Sequence, residues 1–253
     1  MRDKLSLSVV CGVKDRPYEQ ALASWLARPE VGEVVLVDWS SEILKVESYD
    51  PRVVVARALG QDRWVASKCH NLGLQLARGT HVLRLDADDI LHEDFFLKHQ
   101  APGDFFYYAE LERARDDNET HLAGVVYARR EDFFAVGCYN ERIGVYGYED
   151  TDLVVRMSGS LRPVPLDFTS LHHVPHGDDK RYENQRDEDF EELEERLVGA
   201  QPWSYRLLGK GDRAIMGNKI LAERDPWTSL DRMTEWVVTV QNGPVRYLCE
   251  EVR

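Results

Sequence analysis

The chain has no C-x-x-C pair. Its four cysteines, Cys11, Cys69, Cys138 and Cys249, are scattered, so neither a zinc site nor a disulfide framework is expected. No apolar run approaches the roughly 18 residues of a membrane-spanning helix, and no charged-then-apolar leader opens the sequence. The expectation is a cytoplasmic protein with no transmembrane segment and no secretion signal. Basic residues are outnumbered, 32 Lys and Arg against 45 Asp and Glu, and the formal net charge of −13 repels a polyanion at long range. Non-specific nucleic-acid binding is therefore not expected. Internal repeats and low-complexity linkers are missing, as is a glycine-rich basic loop after the first apolar segment, where the chain reads Gly12-Val13-Lys14-Asp15-Arg16-Pro17.

What is present reads as alternating strands and helices. At 253 residues the chain can bury a large core, as one big α/β domain or two small ones. Leu5 to Val13 reads as a strand ending in the charged loop 14–17. Tyr18, Ala21, Leu22, Trp25 and Leu26 then recur at helical spacing, and Val34 to Val37 is a second strand stopping at Asp38-Trp39. Together they make a βαβ unit with parallel strands. Val53 to Val55 is a third strand. Ser67 to Arg78 reads as a helix with Gly79 placed to end it, leading into the strand Thr80 to Leu85 and then Asp86-Ala87-Asp88-Asp89. Strands one, two and four each end in charge, as a ligand crevice at the carboxyl edge of a sheet requires.

Further on, segments 105–111 and 123–128 read as an antiparallel pair around a charged turn, and 130–137 as a short helix ended by Gly137. A second helix opens at Glu149-Asp150 after the loop Gly144 to Tyr148. Leu166 to Leu171 is read as a last strand, Glu183 to Glu195 as a solvated acidic helix, and 234–251 as a hairpin around Asn242-Gly243-Pro244 or a helix broken there. Trp203, Trp227 and Trp236 are expected to pack internally rather than shape a groove.

Three clusters could carry chemistry. An isolated D-x-D is usually a polar turn, but Asp86 and Asp88 on extended backbone would project to one side, near enough to share a hard divalent cation. With an imidazole and phosphate oxygens, that donor set suits Mg²⁺ or Mn²⁺ better than structural zinc. Glu149 and Asp150 at a helix start suit either helix capping or a base that takes a proton from a hydroxyl. His173 and His176 follow a strand and are clustered, whereas His70 and His92 read as core or surface residues.

The segments VVCGVKDRPYEQALASWL, VVLVDWSS, ASKCHNLGLQLARGTHVLRLDADDIL, GVVYARREDFFAVGCYNERIGVYGYEDTDL and LHHVPHGDDKRYENQ resemble, in order over residues 5–185, a GT-A fold glycosyltransferase of the family 2 type. The D-x-D is one specific part. The other is Gly147 to Leu153 (GYEDTDL), similar to the C-terminal motif of galactosyl- and N-acetylhexosaminyl-transferases.

The resemblance implies an α/β protein with a GT-A (Rossmann-like), mixed but mainly parallel sheet flanked by helices. Residues 1–185 would form the nucleotide-sugar-binding and catalytic domain, and 186–253 a helical or hairpin extension packed on it. The implied activity is metal-dependent transfer of a hexose or N-acetylhexosamine from a nucleotide diphosphate sugar, UDP by family habit, to an acceptor hydroxyl with inversion. By motif position Val13, Lys14, Arg16 and Asp38 would line the base and ribose, with Lys68 and Asn71 near the nucleotide. Asp86 would contact the ribose, or the metal through water, and Asp88 with His173 or His176 would ligate the metal. Asp150 would be the base, and Glu149 would hold acceptor or sugar hydroxyls. Asp89 is expected to cap the turn that follows it. Trp39 replaces a small residue common in the family, and Lys14-Asp15 stands where many members have Asn. The acceptor is left open, and a homodimer is compatible with the chain. Two alternatives stand beside this reading. A sugar-phosphate nucleotidyltransferase is disfavoured by the glycine-poor first loop, and a non-catalytic nucleotide-sugar binder by the presence of both motifs.

Overall fold

The structure, a computed structural model, describes residues 7–175 and 187–252. Leu5, Ser6, His176 and the segment 183–186 of the expected acidic helix lie outside the described residues. The elements are β1 (Leu7–Val13), α1 (Glu19–Leu26), β2 (Val31–Trp39), β3 (Val53–Ala58), α2 (Ala66–Leu76), β4 (His81–Arg84), β5 (Asp89–Leu91) and α3 (Phe95–Lys98). After these come β6 (Phe105–Tyr108), α4 (Asp117–Thr120), β7 (Val126–Arg129), α5 (Arg130–Ala135), α6 (Glu149–Ser158), β8 (Arg162–Pro165) and β9 (Leu171–His173). The chain ends with α7 (Asp187–Arg196), α8 (Lys210–Arg224), β10 (Trp236–Val240) and β11 (Tyr247–Glu251).

Among the described residues, nine strands form one sheet in the order β10-β11-β3-β2-β1-β4-β7-β6-β8, and β5 and β9 make a separate two-stranded pair. Only β7 and β10 run against the others. The fold class is therefore as expected, a mixed and mainly parallel sheet with helices on its faces. The central strands are apolar throughout because both faces are covered: Val9, Val10, Val34, Val35, Leu36 and Val37 are all fully buried. One core cluster holds Trp25 of α1, and the other holds Leu72 of α2 and Leu153 of α6.

Several boundaries differ from those read in the sequence. Helix α2 ends at Leu76 because Ala77 is already extended (ψ 135). Gly79 does not cap the helix; its N–H donates to Ser8 Oγ at 2.9 Å. The expected strand over Leu166 to Leu171 is not one strand, because Asp167 accepts from the Thr169 N–H at 2.9 Å and folds residues 168–170 into a 3₁₀ turn. Strands β8 and β9 flank that turn.

Residues 236–251 form the hairpin alternative. They also extend the main sheet, since β11 pairs parallel with β3. Trp236 packs edge-on against Trp39 at 5.7 Å, Trp227 is buried, and the Trp203 side chain lies outside the described set. Helices α7 and α8 share a small core of their own, made with Phe190, Leu193, Leu197, Tyr205 and Ala214. No helix among the described residues is long and apolar enough to cross a membrane.

Candidate active site

The carboxyl ends of β1 and β4 lie side by side, with Val10 paired to Arg84, and both open into a cavity of about 750 Å³. Lys14, Arg16, Asp86, Asp88, Glu149, Asp150 and His173 line it together with Tyr108, Glu110, Tyr146 and Ile215. Seven of the residues read as site candidates thus meet in one cleft, although they come from segments as distant in sequence as 14 and 173.

Strand geometry does not persist through the D-x-D. Strand β4 stops at Arg84, and residues 85–88 turn before β5 begins. Asp86 and Asp88 therefore do not share a face. Asp86 is gripped by the Arg84 guanidinium, Nη2 to Oδ1 at 2.9 Å and Nη1 to Oδ2 at 3.2 Å. Asp88 faces elsewhere, 3.4 Å from His173 Nδ1 and 3.4 Å from Arg16 Nη1. Asp89 caps the turn before it rather than the one after, its Oδ2 accepting from the Asp86 N–H at 2.8 Å.

The pairing of β5 with β9 sets Asp89 opposite His173, with Oδ1 3.8 Å from Nδ1. Asp88, Asp89 and His173 each offer a ligand atom within 4.8 Å of the others. Two carboxylates and one imidazole at this spacing fit a small, hard divalent cation, whose neighbouring ligands sit about 3 Å apart around a 2.1 Å radius. Of the residues read from sequence as metal ligands, Asp88 and His173 belong to this cluster; Asp89 joins them, and Asp86 is paired with Arg84 instead.

The histidine is held from behind. Asn118 of α4 donates to the His173 carbonyl at 2.5 Å and accepts from its N–H at 3.2 Å, and His121 stacks on the ring at 4.8 Å. Burial opposes protonation of His173, but the hydrogen bonds and charges of Asp88 and Asp89 prevail and lift its pKa to about 9. Burial pushes the Asp89 carboxyl upward. A cation bound among these groups would compete with protons for the same atoms.

Arg84 is the residue that sequence reading missed. It is 3 % exposed, and Nη2 donates to His70 Nε2 at 2.7 Å. Its Nη1 lies 3.9 Å from Asp150 Oδ1. Room for it exists because position 124 is glycine: a Cβ there would fall 1.7 Å from Nη1. One signal was visible, an arginine inside the buried strand Thr80 to Leu85, since arginine is almost never fully buried unless paired. His70, read as a core or surface residue, is in the core and touches this network.

Glu149 and Asp150 open α6. The residue before them, Tyr148, is left-handed (φ 78) and gives no side-chain cap. Burial, then the neighbouring Asp150, pushes Glu149 up, and its Oε2 finds no hydrogen-bond partner in another described residue. Burial also raises Asp150, while Arg84 pulls it back down.

Four candidates do not line the cleft. Val13 is buried in the core. Asp38 is fully buried, bound to Arg57 Nε at 2.7 Å and to the Ser41 N–H at 2.9 Å. Lys68 pairs with Glu251 at 2.6 Å and lines a smaller, separate cavity of about 200 Å³. Asn71 is a structural clamp, donating to the Tyr139 carbonyl at 2.9 Å and accepting from its N–H at 2.8 Å. His176 lies outside the described residues.

The two departures noted in the sequence also find local reasons. The Trp39 side chain points into the core, donating to the Arg63 carbonyl at 2.6 Å. Asp15 caps the following loop, its Oδ1 accepting the N–H groups of Glu42, Ile43 and Leu44 at 2.9, 2.7 and 3.0 Å.

Residues 105–173 match a family model described as the N-terminal domain of galactosyltransferase. Among solved structures, GalNAc-T7 with UDP, GalNAc and Mn²⁺ superposes with a TM-score of 0.57 at 15% identity, covering 69% of this chain and 44% of that one. The chain thus spans less than half the length of that enzyme. The catalytic domain of Drosophila β1,4-galactosyltransferase 7 in complex with xylobiose gives 0.55 at 14% identity, over 98% of this chain and 93% of that one. A mutant of the same enzyme with manganese, UDP-Gal and xylobiose gives 0.55 at 15% identity, with the same coverage. No curated protein sequence matches the chain. The fold is the GT-A fold of these glycosyltransferases, and the segment 105–173 is similar to the N-terminal domain of galactosyltransferase.

Proposed function

We propose that this protein transfers a sugar from a UDP-sugar, with a bound Mn²⁺ or Mg²⁺, to an acceptor hydroxyl with inversion at the anomeric carbon. The observation that carries the reading is the meeting of Asp88 and His173 with Glu149 and Asp150 around one cavity, with the buried Asp89 within 4.8 Å of the first two. Asp88, Asp89 and His173 are the residues that would hold the cation. That cation would neutralise the charge that develops on the departing diphosphate. Arg16 and Lys14 supply further positive charge on the same side of the cleft.

Asp150 takes the proton of the acceptor hydroxyl, whose oxygen attacks the anomeric carbon from the face opposite the leaving UDP. Burial raises the pKa of Asp150 and so strengthens it as a base, while the Arg84 guanidinium 3.9 Å away pulls the other way. Glu149, raised towards its neutral form by burial and by Asp150, both donates to and accepts from sugar hydroxyls. Asp86, held by Arg84, belongs to the nucleotide side. A panel of UDP-sugars assayed for UDP release with Mn²⁺ and candidate acceptors tests the reading, which fails if the protein neither binds nor releases UDP.

A further inference from the structure

The loop that precedes Glu149 carries an unusual backbone. Gly147 (φ 91) and Tyr148 (φ 78) are both left-handed, a conformation that costs a non-glycine residue on the order of 1–3 kcal/mol unless the surroundings impose it. No side chain caps the start of α6. The support comes from the other end of the chain. Asn218, on α8, is fully buried. Its Nδ2 lies 3.1 Å from the Val145 carbonyl, 3.3 Å from that of Tyr146 and 2.7 Å from that of Gly147. A single amide thus spends its two protons on three successive carbonyls.

One turn earlier on α8, Ile215 reaches the cavity wall and fills the space beside Gly147, where a Cβ would lie 2.6 Å from Ile215 Cγ1. Helix α8 is itself fixed against α7. Gly217 lets Leu193 and Leu197 approach closely, and Arg213 bonds Glu194 at 3.1 Å.

We infer that Asn218 is a positioning residue: it holds the Val145–Gly147 loop so that Tyr146, Glu149 and Asp150 face the acceptor. The inference rests on the reading of the cleft given above. It also assigns a task to the C-terminal segment, which would set the acceptor side of the cleft without touching the nucleotide side. Reaction rates are sensitive to displacements of an ångström in such groups, whereas binding of a nucleotide at Arg16, Asp88 and His173 is not routed through this loop.

The experiment compares wild type with Asn218→Ala and Asn218→Asp, the latter turning a donor into a carboxylate that faces three carbonyls. Amide hydrogen exchange should accelerate at least ~10-fold over residues 145–150 while α7 and the rest of α8 stay protected. Binding of UDP with Mn²⁺ and the KM for the active UDP-sugar should stay within about threefold, while kcat falls at least ~10-fold. Unchanged exchange over 145–150, or unchanged kcat, overturns the inference. So does a uniform loss of protection with loss of UDP binding, which marks a purely structural role. If neither Asn218 variant folds, Gly147→Ala attacks the same contact from the loop side and is read by the same criteria. If wild type binds no UDP, the functional reading fails, while the exchange comparison still decides whether Asn218 holds the loop.

Discussion

Arg84 and His70 meet in the interior, Nη2 of the guanidinium donating to Nε2 of the imidazole across 2.7 Å. Burial first, and the arginine second, push His70 far below its ordinary pKa, so the ring is neutral and Nε2 is free to accept. A permanent cation therefore sits beneath Asp86 and Asp150, its two Nη atoms shared among His70, Asp86 and Asp150. Replacing Arg84 by Met leaves those carboxylates without their counter-charge. Removing one partner of a fully buried pair costs about 3–5 kcal/mol. Because the Asp86 and Asp150 side chains stay 38 % and 22 % exposed, solvent screening brings the expected loss to about 1–3 kcal/mol. Urea unfolding should show a loss of that size, and a loss below about 1 kcal/mol would contradict the network.

Gly124→Ala approaches the same group from the opposite side. The new methyl would collide with Arg84 Nη1, and the guanidinium cannot retreat without dropping Asp86 or His70. Overpacking at such a point costs about 1–3 kcal/mol. The double variant with Arg84→Met should be no less stable than Arg84→Met alone, since the obstacle is gone. A fully additive loss in thermal unfolding would refute this.

Glu33 carries a clean pH signature far from the cleft. Burial alone would raise its pKa, but hydrogen bonds from Ser8 Oγ, the Arg78 N–H and Arg78 Nε prevail and lower it below 4.5. A carboxylate with a lowered folded pKa stabilises the fold fully above the unfolded value, and that contribution disappears as the pH falls through the folded one. Wild type should therefore exceed Glu33→Gln in unfolding free energy at pH 7, with the gap closing as the pH falls below 4.5 and through the lowered folded value. A gap independent of pH would show that Glu33 is not held as proposed.

Much of this arrangement is legible in the sequence, and the parts that are not share a cause. Periodicity and charged strand ends disclose the sheet, the crevice and the acids at 86–89 and 149–150, because those signals are local. The makeup of the Asp88–Asp89–His173 cluster is not local. Whether Asp86 or Asp89 joins Asp88 depends on where β4 stops and on the pairing of β5 with β9, two residues of register that no short window contains. Arg84 was visible as an anomaly, but its partners His70, Gly124 and Asp150 lie 14, 40 and 66 positions away. Asp38 and Asn71 look like site residues by motif position, yet Arg57 and Tyr139 claim them. The Asn218 clamp lies in a segment whose pattern announces only a helix.

Substitutions in the proposed metal site separate the two readings of the D-x-D. UDP with Mn²⁺ should stabilise wild type by about 2.7 kcal/mol at a hundredfold excess over Kd. Asp88→Ala and His173→Ala should abolish that gain, and Asp86→Ala should retain part of it. Equal loss in all three, with Asp89→Asn unaffected, would return the ligand role to Asp86.

The most direct test is UDP release from the active UDP-sugar by Asp150→Asn. The account predicts that this variant binds UDP with Mn²⁺ as wild type does, yet turns over at least ~100-fold more slowly, as loss of a general base requires, and that EDTA silences wild type. Undiminished turnover by Asp150→Asn, or release of UDP that EDTA does not touch, would contradict it.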